Sequence, residues 1–161
     1  MAPDTPETRQ DAATAALTAA TLGQGRQLDL LSLALLLLAL ATLLLATTGL
    51  TGHGLLGVSV TAGLVQRYYA FRCDLDARLF AHWAACWSGL WAPDPQADLV
   101  AFDHALTGVF GTSETPTPPR PLAERVRGAL RLLRHQSIAL AVQFSALLGA
   151  ILWHLSHTGS P

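Results

Sequence analysis

The chain has 161 residues, 51% of them hydrophobic and 13% charged, where soluble domains carry roughly 25% charged side chains. That balance assigns it to the membrane proteins. The formal net charge is -1, and all ten basic residues are arginine, most of them falling between Arg72 and Arg134; with lysine absent and no basic face, nucleic-acid binding is excluded as an expectation.

Residues 1–27 form a polar, Ala- and Thr-rich tail, with Asp11 placed to cap a short helix from Ala12 to Leu22 before Gly23 and Gly25 interrupt it. Asp4, Glu7 and Asp11 occupy the place where a secretory signal carries basic residues, so the apolar run that follows is expected to be retained. From Leu30 to Val65 no Asp, Glu, Lys or Arg occurs, a stretch too long for one crossing of a ~30 Å hydrocarbon core. The break falls in Thr47–Gly54, where three glycines and three threonines suit a tight turn. The first span then runs from about Leu28 to Thr48 and the second from about Leu55 to Phe71. Arg67 is placed to snorkel, with Tyr68 and Tyr69 in the interfacial belt.

Past Arg72 the apolar pattern becomes periodic. Leu75, Leu79, Trp83, Trp87 and Trp91 recur every four residues, which predicts an amphipathic helix continuing from the second span. Pro93 and Pro95 end it, Asp94 is placed to cap the next, and Leu99, Phe102, Leu106, Val109 and Phe110 mark a second amphipathic helix. Residues 112–121 form a Pro-rich linker. A helix starting near Pro121 carries Glu124 and several arginines, then becomes uncharged from Ser137 to Leu155, the third span.

The expected organisation is therefore all-α: a tail at 1–27, a membrane hairpin at 28–72, cytoplasmic amphipathic helices at 73–111, the linker, and a basic helix running into the last span at 122–161. Arginine placement orients it, since the turn at 47–54 and the C-terminal end carry none while the central segment carries most. The N-terminus and the arginine-rich segment are expected in the cytoplasm and the C-terminus in the periplasm of a bacterial inner membrane.

Candidate functional residues are few. Gln143 is the strongly polar side chain of the third span; with Ser145, Gly149, Gly57 and Gly63 it is expected to pack helices closely. His53, His154 and His157 fall on the predicted outer side, and the i, i+3 pair with a third imidazole suits zinc, copper or haem iron; interfacial packing beside Trp153 is the competing reading. Cys73, His82, Cys86 and His104 match no zinc spacing, and two cysteines make no disulfide framework. Trp83, Trp87 and Trp91 are candidates for docking on the membrane, on the spans or on another protein. No phosphate loop, nucleophile elbow or zincin motif occurs, so no cofactor is expected. The leading expectation is a non-enzymatic accessory or assembly subunit that contacts lipid and other membrane subunits or itself. A metal- or haem-binding protein and a small oligomeric transporter are the alternatives.

Overall fold

The computed structural model describes residues 5–45, 49–89, 93–110 and 120–158, and the described residues are all-α. Helix α1 (Pro6–Gly23) and helix α2 (Gly25–Leu45) are separated in sequence only by Gln24. Helix α3 (Leu50–Trp87), helix α4 (Pro95–Phe110) and helix α5 (Leu122–Thr158) follow.

The helix starts are chemically legible. Thr5 caps α1, its Oγ1 accepting from the Thr8 amide at 3.3 Å, with Pro6 in the first helical position. Asp11 lies in mid-helix instead of at the predicted cap, because Thr5 and Pro6 start the helix earlier. Asp94 caps α4 as the sequence suggests, accepting from the Gln96 amide at 3.2 Å. The Pro121 carbonyl accepts from the Glu124 and Arg125 amides at the start of α5. Leu50–Gly54 is already helical, so the break expected over 47–54 is shorter; Ala46, Thr47 and Thr48 lie outside the described residues. The amphipathic helix after Arg72 is continuous with the preceding apolar segment, as one 38-residue helix.

Contacts divide the chain into two units, residues 1–23 with 75–131, and residues 24–74 with 132–161. In the second unit, Gly25 meets Gln136 and Ser32 meets Gln143, and both pairs are 111 positions apart. Two contacts with one offset mean that α2 and α5 run parallel in fixed register. Arg67 of α3 reaches Asp29, Tyr69 stacks on His135, and Ser59 bonds Gln143, so α3 runs antiparallel to both.

The register follows a seven-residue repeat. Gly25, Ser32 and Ala39 on α2, Gly52, Ser59, Gln66 and Cys73 on α3, and Gln136, Gln143 and Ala150 on α5 are all buried. A strict heptad keeps one seam of each helix facing its neighbours in left-handed, shallow-angle packing. At the uncharged end the seam is apolar, with Ala39, Leu56, Leu147 and Ala150 forming a cluster.

Two stretches, Pro6–Leu45 and Leu122–His157, are long and apolar enough to cross a membrane. Only 17% and 22% of their most apolar portions are buried. The middle helix of the second unit is not among them, because Gly, Ser, Thr and His dilute the uncharged part of α3.

Candidate functional site

Polarity in the second unit is inverted relative to a soluble core. Ser32, Ser59, Gln66, Gln136 and Gln143 are fully buried, whereas Leu30, Leu37, Leu44, Leu45, Phe71, Phe144 and Leu152 are more than half exposed. The buried polar groups form layers. Ser32 donates from Oγ to Gln143 Oε1 at 2.6 Å, and Gln143 returns a bond from Nε2 to the Ser32 carbonyl at 3.0 Å. Ser59 donates to the Gln143 carbonyl at 3.1 Å, so one residue ties three helices.

Gly63 gives Gln143 its room. A Cβ at position 63 would stand 2.7 Å from Gln143 Nε2 and 3.1 Å from Leu36 Cδ1. One layer away, Gln136 Nε2 donates to the Gly25 carbonyl at 2.7 Å, and a Cβ on Gly25 would stand 2.8 Å from Gln136 Oε1. Gln66 is buried with neither amide atom bonded, and Gln136 Oε1 also lacks a partner. At the base of the unit, Arg67 holds Asp29 at 3.1 Å, joining the two charges that bracket the uncharged run.

Between α3 and α5 the surface opens into an apolar groove of 670 Å³. Gly54, Gly57 and Thr61 line one wall and Ile138, Ala139 and Val142 the other. The Tyr69 ring, stacked on His135 at 5.4 Å between centroids, bounds one end.

The first unit is built around an arginine among aromatics. Arg125 forms an ion pair with Asp103 at 2.7 Å, both side chains nearly inaccessible, and its guanidinium lies 5.8 Å from the Trp83 ring and 5.4 Å from Phe102. Trp83 stacks on Trp87 and meets Phe80 and Phe102 edge-on. Trp87 Nε1 donates to Asp98 Oδ2 at 2.9 Å. Trp83 and Trp87 are buried, because the unit supplies more apolar surface than the α3–α4 hairpin alone: α1 brings a stripe of Thr8, Ala12, Ala15, Thr18 and Leu22, and α5 brings Leu122 and Ala129. Trp91 lies outside the described residues, as does most of the Pro-rich linker.

The other sequence candidates are dispersed. Gly57 faces open space in the groove wall, Ser145 is exposed, and a Cβ on Gly149 would touch Leu55 at 3.6 Å. His53 is exposed at the start of α3, with Nδ1 3.2 Å from the Gly49 carbonyl. His157 stacks on Trp153 at 4.1 Å and approaches the Trp153 carbonyl. His154 is half-buried on the same turn of α5. Cys86 and His82 are neighbours within α3 at 3.7 Å, and Cys73 is buried. Among the described residues no three His, Cys, Asp or Glu groups come together as a metal-ligand set.

Fold and site together define an all-α protein with two helical stretches long and apolar enough to cross a membrane. No family model, curated protein or solved structure matches the chain.

Proposed function

We propose that the chain is an integral membrane protein whose second unit spans the bilayer three times, and that it serves as a non-enzymatic accessory or assembly subunit of a larger membrane complex. The observation that carries the membrane reading is the inverted polarity of the bundle. Exposed leucines on α2 and α5 would face water at a cost of roughly 1.5–3 kcal/mol each, whereas lipid accommodates them freely. Buried Ser and Gln bonds between helices are the glue expected where no hydrophobic force drives helix association.

The middle span in this reading is the Leu50–Gln66 part of α3. It is less apolar than its neighbours, yet it packs with both flanking helices, so Gly52, Ser59, Gly63 and Gln66 face protein while Val58, Leu64 and Val65 face outward. Charge placement supplies the orientation. Within the second unit Arg26, Asp29, Arg67, Arg72, Asp74 and Arg134 all belong to one end, and the opposite end carries no Asp, Glu, Lys or Arg. The positive-inside rule puts the charged end in the cytoplasm and the C-terminus outside.

An assembly role is supported by what the polar groups do. Gln143 spends its amide and its carbonyl on Ser32 and Ser59, which leaves it occupied in packing and not lining a path. Reporter fusions test the orientation: fusions after residue 89 should report cytoplasm and C-terminal fusions the periplasm, and the reverse pattern overturns it. Native mass spectrometry from mild detergent tests the assembly role, and a strictly monomeric particle without protein partners contradicts it.

A further inference from the structure

We propose that the groove between α3 and α5 seats one acyl chain of an anionic glycerophospholipid, with Arg72 and Arg134 holding its phosphate at the Tyr69–His135 end. The inference rests on the reading that the second unit is membrane-embedded. It adds a defined ligand and a defined site to that reading.

Groove length, lining and the charge at one end argue for the occupant. From Gly54 to Tyr69 the α3 wall rises about 22 Å at 1.5 Å per residue. An extended hydrocarbon chain lies along a groove of that length. The walls match as well, being Gly, Ala, Thr, Val and Ile without a charged group.

Chemistry changes at the Tyr69–His135 end. Arg72 follows Tyr69 by three positions on α3, and Arg134 precedes Ile138 by four on α5, so each stands on the face that carries its wall. Both are exposed, and neither is ion-paired to a described residue. Arg67, by contrast, is neutralised by Asp29. Two unpaired guanidiniums beside the tyrosine hydroxyl and imidazole make a donor-rich mouth for a phosphate, which arginine binds with two parallel bonds. The same charges disfavour a second copy of this chain. A two-fold partner applied to this face would bring four arginines to one level.

The test uses the full chain in mild nonionic detergent, titrated with phosphatidylglycerol, with phosphatidylcholine, and with inorganic phosphate. Phosphatidylglycerol is expected to raise the melting temperature and to appear as a retained adduct by native mass spectrometry, while the other two do neither. Arg72→Gln with Arg134→Gln should weaken phosphatidylglycerol binding about tenfold or more while leaving the lipid-free melting temperature unchanged. Gly57→Leu, which fills open space in the wall, should also abolish the adduct with helicity intact. Equal stabilisation by phosphatidylcholine, stabilisation by inorganic phosphate alone, undiminished binding by the double variant, or a dimer in place of the adduct would each overturn the proposal. Failure of the membrane reading looks different: the chain would then stay in solution without detergent.

Discussion

Ser32 and Gln143 exchange two hydrogen bonds across the α2–α5 contact, side chain to side chain at 2.6 Å and amide to backbone carbonyl at 3.0 Å. The closed pair fixes the parallel register of two helices that are 111 residues apart in sequence. A slip of one turn would leave a buried amide with nothing to bond.

That dependence makes Gly63 and Gln143 a coupled pair. Gly63→Ala puts its methyl 2.7 Å from Gln143 Nε2, an atom already held by Ser32, and should destabilise the bundle by about 1–3 kcal/mol. Gln143→Ala should cost about 1–2 kcal/mol through the lost interhelical bonds. The double variant should cost less than the sum, because the methyl then enters vacated space. Thermal melts of the four proteins in one detergent give the coupling, and strict additivity would show that the two positions do not meet.

In the first unit, Asp103 and Arg125 are predicted to be indispensable singly and dispensable together. Their side chains are 5% and 11% exposed, so removing one carboxylate strands a guanidinium among Trp83, Phe102 and Leu99. Asp103→Leu should therefore cost about 3–5 kcal/mol, whereas Asp103→Leu with Arg125→Met should recover most of that loss. Near-UV circular dichroism of the tryptophan cluster reads both outcomes. A double variant as unstable as the single would locate the cost in packing and not in the stranded charge.

Asp11 gives a pH signature. Partial burial pushes its carboxyl above the ordinary aspartate value, and Glu7, one turn earlier, pushes in the same direction. The folded chain thus holds this proton more tightly than the unfolded chain. Its contribution is most favourable below the ordinary value and is lost as pH rises through the raised one. Asp11→Asn should accordingly raise the melting temperature at pH 7, with the gain vanishing below about pH 4. A variant that melts lower than the parent at neutral pH would contradict the assignment.

The sequence made the helices legible and the seam only partly so. Uncharged runs and proline positions place the helices, and Asp94 marks a cap correctly, because these signals act within a turn of chain. Gln143 stands out as a lone polar side chain in an apolar run. Gln66 and Gln136 are harder to see, since each sits beside an arginine or a histidine where hydration is the natural reading. The signal that finds them is the seven-residue interval joining Ser59 to Gln66 and Gln136 to Gln143, which emerges only when small and polar residues are counted as seam positions. The pairing of Asp29 with Arg67, and the burial of Trp83 and Trp87 within a unit that includes α1, depend on contacts between distant segments. No local pattern encodes them.

Gln66 supplies the sharpest contrast with Gln143. The two side chains are of one kind, both fully buried in the same seam, yet Gln143 is bonded and neither amide atom of Gln66 is. An unbonded buried amide costs about 1–3 kcal/mol relative to an apolar group of similar shape, so Gln66→Leu should stabilise the bundle where Gln143→Leu weakens it. The opposite signs expected from one substitution at two positions remove any general effect of added hydrophobicity. Chemical unfolding in detergent, compared with the unsubstituted protein, measures both. If Gln66→Leu destabilises as much as Gln143→Leu, the Gln66 amide is bonded in the folded protein and its removal costs what the loss of the Gln143 bonds costs.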